Sequence, residues 1–399
     1  MSDQRPISRR QLLKKGGAVT GGLLTSEVAL SALAKDAFGD GFAPVPRRTL
    51  GKTGEKIPIL LQGGSMSWNT KYDPKLAEAV KHGVNYFDAA WSYGGGTTEL
   101  AIGSYLARSK ERKKVWLTTK SDERDPVELE KQLNESLTRM QTSYVDMFYM
   151  HQLSSPADLS PEIQKKVAAL KAQKKLRYFG FSCHHGNVAE LLELAAKTPW
   201  VDSVMFRYNF RQYGNSELNR AIDACAKAKV GLIAMKTQGS AVSFEKEWQK
   251  FEQTGKWNKH QAVMKAVWAD ERITAAVSDM DSLEKIRENA AAARDPGKLG
   301  AHELEDLRRY AAATRSVSCD GCDHLCSQVL NAPIPVGTLL RYLMYHDSYG
   351  KRDEARALYQ ALPETSRRLD RVDWSRSGEA CPHGLDLGHY LKRAEEVLT

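Results

Sequence analysis

Four polar residues of this 399-residue chain could do proton chemistry together: Asp88, Tyr93, Lys120 and His151. Each falls at or just beyond the end of a short apolar run. Asp88 closes one run, with Tyr93 five residues on, Lys120 closes the next, and His151 directly follows the third. Singly they are ordinary, because a strand-end Asp caps helices, a Lys is solvated and a His is commonly a satisfied structural group. Together they bring an acid, a phenol, a cation and an imidazole to one rim, the convergence an acid–base active site needs.

The elements that must position them alternate. Short apolar runs read as strands at Lys56–Gln62, Val84–Asp88, Val115–Lys120, Tyr144–Met150, Leu176–Ser182, Val201–Arg207, Val230–Lys236 and Ile273–Ser278. Between them lie amphipathic patterns such as Lys75–Lys81, Thr98–Leu106, Pro126–Met140, Pro161–Ala172 and Val188–Ala196. Eight strands separated by helices imply parallel pairing through right-handed crossovers. Eight such units over roughly 250 residues have the size of a closed (β/α)8 TIM barrel, which gathers its chemistry at the C-terminal strand ends. An open doubly wound sheet would want Gly-x-Gly-x-x-Gly after its first strand, and none follows. The fold class expected is therefore α/β, a (β/α)8 barrel over 47–295 with a small, mainly helical, cysteine-containing domain over 300–399.

The same residues carry a resemblance. Asp88-Ala89-Ala90-Trp91-Ser92-Tyr93-Gly94-Gly95-Gly96-Thr97-Thr98-Glu99-Leu100, with Gly103 and Leu106, resembles the aldo/keto reductase motif. So do the leading stretch Arg48–Gly54, the fourth strand Tyr144–His151, the fifth strand Phe179–Ser182 and the adenosine-contacting segment Ile286–Asn289. The resemblance implies hydride transfer between a nicotinamide cofactor, NADP or NAD, and a small carbonyl or alcohol substrate. Tyr93 would donate the proton to the developing alkoxide, Lys120 would lower its pKa, and Asp88 would keep Lys120 charged. His151 would orient the carbonyl and share in proton delivery. A free phenol, with a pKa near about 10, is sluggish at neutral pH, and a buried adjacent ammonium moves it the right way.

The implied cofactor contacts are Ser182 at the nicotinamide amide and Lys285, Glu288 and Asn289 at the adenosine end. Cys183 stands in place of the family's usual Asn, Met205 in place of Gln, and Met235 in place of the aromatic residue that stacks on the nicotinamide ring. Methionine fills gaps and can cover a ring, so these departures weaken the inference of nicotinamide binding without removing it. Cys183 beside His184 and His185 reads as a buried thiol in a loop, since nothing completes a ligand set. Asp279 and Asp281 would oppose a 2′-phosphate if they pointed inward, and Lys285 and Arg287 would compensate. These departures motivate a second reading, a non-catalytic binding or redox-relay protein on a reductase barrel. The longest barrel loop, Gly239 to Trp257, holds Phe244, Trp248 and Phe251 without naming a substrate.

Beyond Arg294 the barrel pattern stops, and the chain reads Ser318-Cys319-Asp320-Gly321-Cys322-Asp323-His324-Leu325-Cys326, with Cys381-Pro382 further on. This spacing resembles the ferredoxin-like C-terminal domain of iron–sulfur aldo/keto reductases. It implies a 4Fe-4S cluster on Cys319, Cys322, Cys326 and Cys381, since thiolates are the ligands such clusters need. Zinc on the same thiols, or on three of them with His324, and disulfides or relics of a lost cluster, are the alternatives. Relatives carry two cysteine sets each ending in Cys-Pro, whereas Ser327 follows Cys326 here.

The start of the chain reads as an address. Ser8-Arg9-Arg10-Gln11-Leu12, a mild apolar stretch from Gly16 to Leu24 and Ala32-Leu33-Ala34 form a twin-arginine export signal over residues 1–34. A packed amphipathic helix is the alternative, and Gly16, Gly17, Gly21 and Gly22 argue against it. The expectation is a protein of the bacterial periplasm or cell envelope that meets the twin-arginine translocation machinery. Net charge is +9, but Lys and Arg interleave with Asp and Glu, so no nucleic acid partner is expected. With 42% hydrophobic residues the chain can bury a real core, and no uncharged apolar run is long enough to span a membrane.

Overall fold

The computed structural model describes residues 43–239, 256–314, 318, 319, 321–330 and 334–399. The twin-arginine segment 1–34 and most of the loop from Gly239 to Trp257 lie outside the described residues. Eight parallel strands close into a barrel: β1 Leu60–Gln62, β2 Tyr86–Asp88, β3 Trp116–Ser121, β4 Val145–Met150, β5 Leu176–Cys183, β6 Ser203–Arg207, β7 Gly231–Met235 and β8 Ala275–Ser278. The neighbours run in chain order, and β8 pairs with β1. Helices follow the strands in turn: α1 Pro74–Lys81, α2 Thr97–Ser109, α3 Pro126–Arg139, α4 Pro161–Ala172, α5 Val188–Lys197, α6 Ser216–Lys227, α7 Lys259–Ala269 and α8 Leu283–Arg294. This is the (β/α)8 barrel expected from the alternation.

Local chemistry starts these helices. Asp73, Asp125 and Ser160 each accept a hydrogen bond from a first-turn amide, and each precedes a proline at the first helical position. A proline there gives up only an amide that would lack a helical partner anyway. The outward faces of the strands and the apolar helix faces form one layer, in which Phe148, Phe179, Phe181 and Phe206 are fully buried. Each such side chain stabilises the fold by about 1.5–3 kcal/mol through its removal from water.

The first expected strand, Lys56–Gln62, is divided. Lys56–Pro58 pairs antiparallel with Arg47–Thr49 in a hairpin, and only Leu60–Gln62 enters the barrel. Pro58 has no N–H to donate, and the Ile59 amide bonds Pro46 O at 2.9 Å. The hairpin plugs the base of the barrel, where Leu50 and Ile57 join the interior cluster of Leu61, Tyr86, Met147, Tyr149, Met205 and Met235. Gly51 sits at φ +48, and a Cβ there would fall 2.3 Å from Lys229 O, so only glycine lets the plug seat.

Beyond α8 the described chain is helical: α9 Ala301–Ala313, α10 Asp323–Val329, α11 Val336–Asp347, α12 Arg352–Gln360 and α13 Leu387–Leu398. Leu330, Leu339, Tyr359, Leu391 and Leu398 form a separate apolar core. This tail lies on the C-terminal face of the barrel. Arg207 Nη2 donates to Cys319 O at 2.9 Å, Lys236 Nζ to the Tyr345 hydroxyl at 2.7 Å, and Lys351 Nζ to Ser65 O. Among the described residues no helix is long and apolar enough to cross a membrane.

Candidate active site

Strand register explains why three of the four residues meet. Asp88 stands opposite Thr118, so Lys120, two residues on, faces the same way. Lys120 stands opposite Tyr149, and His151 continues that inward-facing alternation. Tyr93 is delivered by the loop after β2, which is tied to β3: Ala89 N donates to Thr118 O at 2.9 Å and Trp91 N to Lys120 O at 3.0 Å. The Trp91 indole donates to Glu135 at 2.7 Å, while Arg139 donates to Trp91 O at 2.9 Å and to the buried Glu99 at 3.1 Å.

Lys120 Nζ is the hub. It donates to Asp88 Oδ1 and Oδ2 at 2.7 and 2.8 Å, to Ala89 O at 2.7 Å and to the Tyr93 hydroxyl at 3.3 Å. An ammonium has three protons and accepts none, so with one proton shared between the two Asp88 oxygens the phenol oxygen is an acceptor in this contact and its own proton is left for another acceptor. The pair Lys120 and Asp88 is 1% and 4% exposed, dry enough for the contact to hold its geometry without competing water. Burial pushes each toward its neutral form, Lys120 down and Asp88 up, and the pair's own attraction opposes both shifts.

The phenol is held in its protonated form. Removal from solvent, and then the charges of Asp88 and Asp279, hold Tyr93 well above its ordinary value. The Lys120 ammonium, which also donates to Asp88, is not among the leading causes of this net shift. Tyr93 is therefore a proton holder at neutral pH, which is what a donor to a developing alkoxide must be.

His151 is held by a carboxylate. Its Nδ1 lies 2.7 Å from Asp122 Oδ1, and a carboxylate only accepts, so the Nδ1 proton points to Asp122. Burial depresses the imidazole despite Asp122, which keeps it neutral and leaves Nε2 as an acceptor. A neutral ring in this tautomer orients an O–H; it donates to a carbonyl only when protonated. The Tyr93 and His151 rings stand edge to face, with centroids 5.6 Å apart. Asp122 was missing from the sequence reading, and the one available signal was its place two residues beyond Lys120.

The implied cofactor contacts separate into two groups. Ser182 is buried at the mouth, and its hydroxyl accepts from Gln152 N at 3.0 Å, which leaves its own proton for a ligand carbonyl. Met205 and Met235 line the barrel interior beside it, an apolar floor in place of the amide and aromatic ring. Cys183 points the other way, into the layer under the helices, so it faces neither substrate nor metal. On α8, Lys285 is paired with Asp281 at 2.8 Å, Glu288 is exposed, and Asn289 donates to Ser278 Oγ at 3.3 Å. Arg287 is bound to Glu78 at 2.7 Å, so neither cation of this segment stands unopposed. Asp279 stands exposed beyond β8 within the fields of Lys351, Lys236 and Lys120.

In the tail, Cys322 caps the start of α10 and Cys381 ends a single turn, Ser377–Ala380, that packs against α10. Cys326 is buried in the tail core, with Cys319 and Cys381 packed against the same core. The Gly321 amide donates to Cys319 Sγ at 3.4 Å. Among the described residues no three His, Cys, Asp or Glu side chains are gathered as a metal site, for zinc and for a cluster alike.

Comparison with known proteins agrees with this geometry. The chain is 28% identical over 161 residues to an NADP(+) aldo-keto reductase of Schizosaccharomyces pombe, covering 35% of this chain and 45% of that one. It is 30% identical over 159 residues to the uncharacterized oxidoreductase YrpG of Bacillus subtilis, covering 33% and 48%. The chain thus spans about half the length of these relatives. L-galactose dehydrogenase of Arabidopsis thaliana matches over 290 residues at 25% identity, covering 63% and 89%. Among solved structures, the holo form of an aldo-keto reductase from Bacillus halodurans superposes with a TM-score of 0.56 at 19% identity, covering 66% of this chain and 96% of that one, a likeness of fold. The profile of the aldo/keto reductase family matches residues 61–304, more than half of the chain and the whole stretch that bears Asp88, Tyr93, Lys120 and His151. With the closed barrel and the lysine-bridged phenol at its mouth, this places the chain in the aldo/keto reductase family of oxidoreductases.

Proposed function

We propose that this chain is a nicotinamide-dependent reductase of small aldehydes or ketones, with NADP as the nucleotide. The observation that supports it most is the Lys120 ammonium held between Asp88 and the Tyr93 hydroxyl. The nucleotide, when bound, supplies the hydride. Ser182 fits its amide group, Met205 and Met235 fit as a dry surface for its ring, and Lys285, Glu288 and Asn289 fit toward the adenosine. Tyr93 holds a proton toward the substrate oxygen, Lys120 steadies the phenol oxygen as that proton leaves, and Asp88 keeps the ammonium in place. Asp122 fixes the His151 ring so that Nε2 accepts from the hydroxyl of the product. The methionine floor favours a weaker grip on the ring than an aromatic stack gives. One relative, the Schizosaccharomyces pombe protein, is named for NADP(+), which favours the phosphorylated nucleotide. Titration with NADPH and NADH, followed by turnover of an aldehyde panel, tests this reading; binding of neither nucleotide would overturn it and favour the non-catalytic alternative.

The further parts of the reading concern the two ends of the chain. Residues 1–34 act as a twin-arginine signal, so the mature protein, 47–295 as barrel and 300–399 as tail, works in the cell envelope. The motif at Arg9 and Arg10 supports this, and lysines at both positions should retain the protein in the cytoplasm. Cys319, Cys322, Cys326 and Cys381 would hold a 4Fe-4S cluster, which supplies one-electron transfer or a structural staple. The packing of Cys326, Cys319 and Cys381 about one core, and the amide donated to Cys319, support that assignment.

A further inference from the structure

A short segment of the tail, 345–351, where α11 gives way to α12, is tied to the barrel mouth at two points. Lys236, which directly follows β7, donates to the Tyr345 hydroxyl at 2.7 Å. Lys351 donates to Ser65 O, in the loop after β1. Strand β8 pairs with β7 on one side and β1 on the other, so the segment bridges the end of β8. It holds together as a unit: Lys351 N donates to Tyr345 O at 2.9 Å, and the Tyr345 and Tyr349 rings stack with centroids 5.8 Å apart. Gly350 makes the turn at φ +67, with open space where a Cβ would stand.

Asp279, just beyond β8, stands between the two ties. Its Oδ1 packs on Gly63, where a Cβ would fall 2.3 Å away, and its carboxylate lies in the fields of Lys351 and Lys236. The residue is nonetheless exposed, which leaves room between the strand end and the segment. The residues that fit a nucleotide fall on both sides of this bridge. Ser182, Met205 and Met235 belong to β5, β6 and β7, whereas Lys285, Glu288 and Asn289 belong to α8, the helix that β8 feeds. A molecule that joins the two groups crosses the end of β8, beneath the segment. Both ties run from an ammonium to a hydroxyl or a carbonyl, partners that hold the segment without pinning it by an opposite charge. Lys351 also meets Glu354 at 3.3 Å, a contact inside the tail that moves with it.

We propose that segment 345–351 is a strap that gates nucleotide exchange, opening from Lys236 and Ser65 to admit or release the dinucleotide and closing across it between those events. This rests on the reductase reading and adds to it that the tail, rather than the barrel alone, sets how long the nucleotide stays. Tyr345 and Lys351 are positioning residues, since they act through the path and not at the reacting atoms. Opening breaks both hydrogen bonds, so loss of either lowers the barrier to entry and to exit together.

Stopped-flow fluorescence on the full chain follows NADPH as it enters, and a chase with excess NADP+ follows it as it leaves. Tyr345→Phe keeps the ring but loses the acceptor, and Lys351→Met loses the donor. Each should speed association and release alike by about tenfold, the range of one charge-assisted bond, with the Kd held within about threefold. Lys351→Arg, which still donates, should keep both rates within about twofold of the wild type. In the wild type, bound NADPH should slow hydrogen exchange at the amides of 345–351. Unchanged rates in Tyr345→Phe and Lys351→Met would overturn the proposal and leave the reductase reading standing. Faster release without faster association would overturn it too, because the ties would then grip the nucleotide rather than gate it. Failure of the wild type and of both variants to bind NADPH would remove the reductase reading and the strap with it. If Tyr345→Phe fails to fold, Lys351→Met makes the same comparison.

Discussion

Lys120 Nζ lies 2.7 Å from Asp88 Oδ1 and 3.3 Å from the Tyr93 hydroxyl, so one ammonium ties a strand-end carboxylate to a loop-borne phenol. The tie is electrostatic and structural at once, and removing either charged partner leaves the other buried alone. Asp88→Asn and Lys120→Met should each destabilise the fold by about 3–5 kcal/mol. The double variant should lose less than the sum of the two. Chemical denaturation of the three variants checks this, and additive losses would mean that the pair is not coupled.

The same tie predicts a direction for pH dependence. Because Tyr93 is held above its ordinary value, it stays protonated through neutrality, and carbonyl reduction should not fall until well into the alkaline range. A decline in kcat centred near neutral pH in the reducing direction would point to a different proton donor.

Acid should weaken the folded state. His151 and His184 are held below their ordinary 6.5 chiefly by burial, so the folded form binds these protons less readily than the unfolded chain does. Their contribution is fully present above about pH 6.5 and is lost as pH falls below it. Asp122, held below its ordinary 3.8 against the effect of burial by the His151 contact, adds a second loss at lower pH. The melting temperature should drop on acidification from neutrality, and His184→Gln should flatten the first part of that drop.

The paired charges on α8 make a prediction about the nucleotide. Lys285 is bound to Asp281 on an exposed surface, an arrangement worth less than about 1 kcal/mol. Asp281→Ala should free the cation and tighten NADPH over NADH by up to about fivefold, the equivalent of that energy. Competitive titration of the two nucleotides measures the ratio. An unchanged ratio would place the 2′-phosphate away from Lys285.

The cysteine tail offers a chemical readout. Anaerobically purified protein should contain iron and acid-labile sulfide, and Cys381→Ser should lower both. Wild-type protein lacking iron and sulfide would remove the cluster from the account.

The barrel was legible because each strand is a short apolar run ending in a polar residue, a pattern local enough to survive without tertiary information. Asp88, Lys120 and His151 were legible for the same reason, since consecutive parallel strands bring consecutive strand ends together. The division at Pro58 was not, because the competing partner, Arg47–Thr49, lies outside the run itself. Nor were Asp122, Lys236, Tyr345 and Lys351. Their neighbours come from distant strands and from the docking of the tail, and no periodicity encodes which tail helix faces the barrel mouth. The net direction of the Tyr93 shift was not legible, because the adjacent cation is visible in sequence whereas the burial and the carboxylates that raise it are visible only in space.

The most direct test of the central claim is consumption of NADPH by Tyr93→Phe with the best aldehyde found for the wild type. Proton donation by this phenol predicts a fall in kcat of at least about a hundredfold, with the Kd for NADPH held within about twofold. Tyr93→Phe protein that reduces the aldehyde at half the wild-type rate or faster would contradict it.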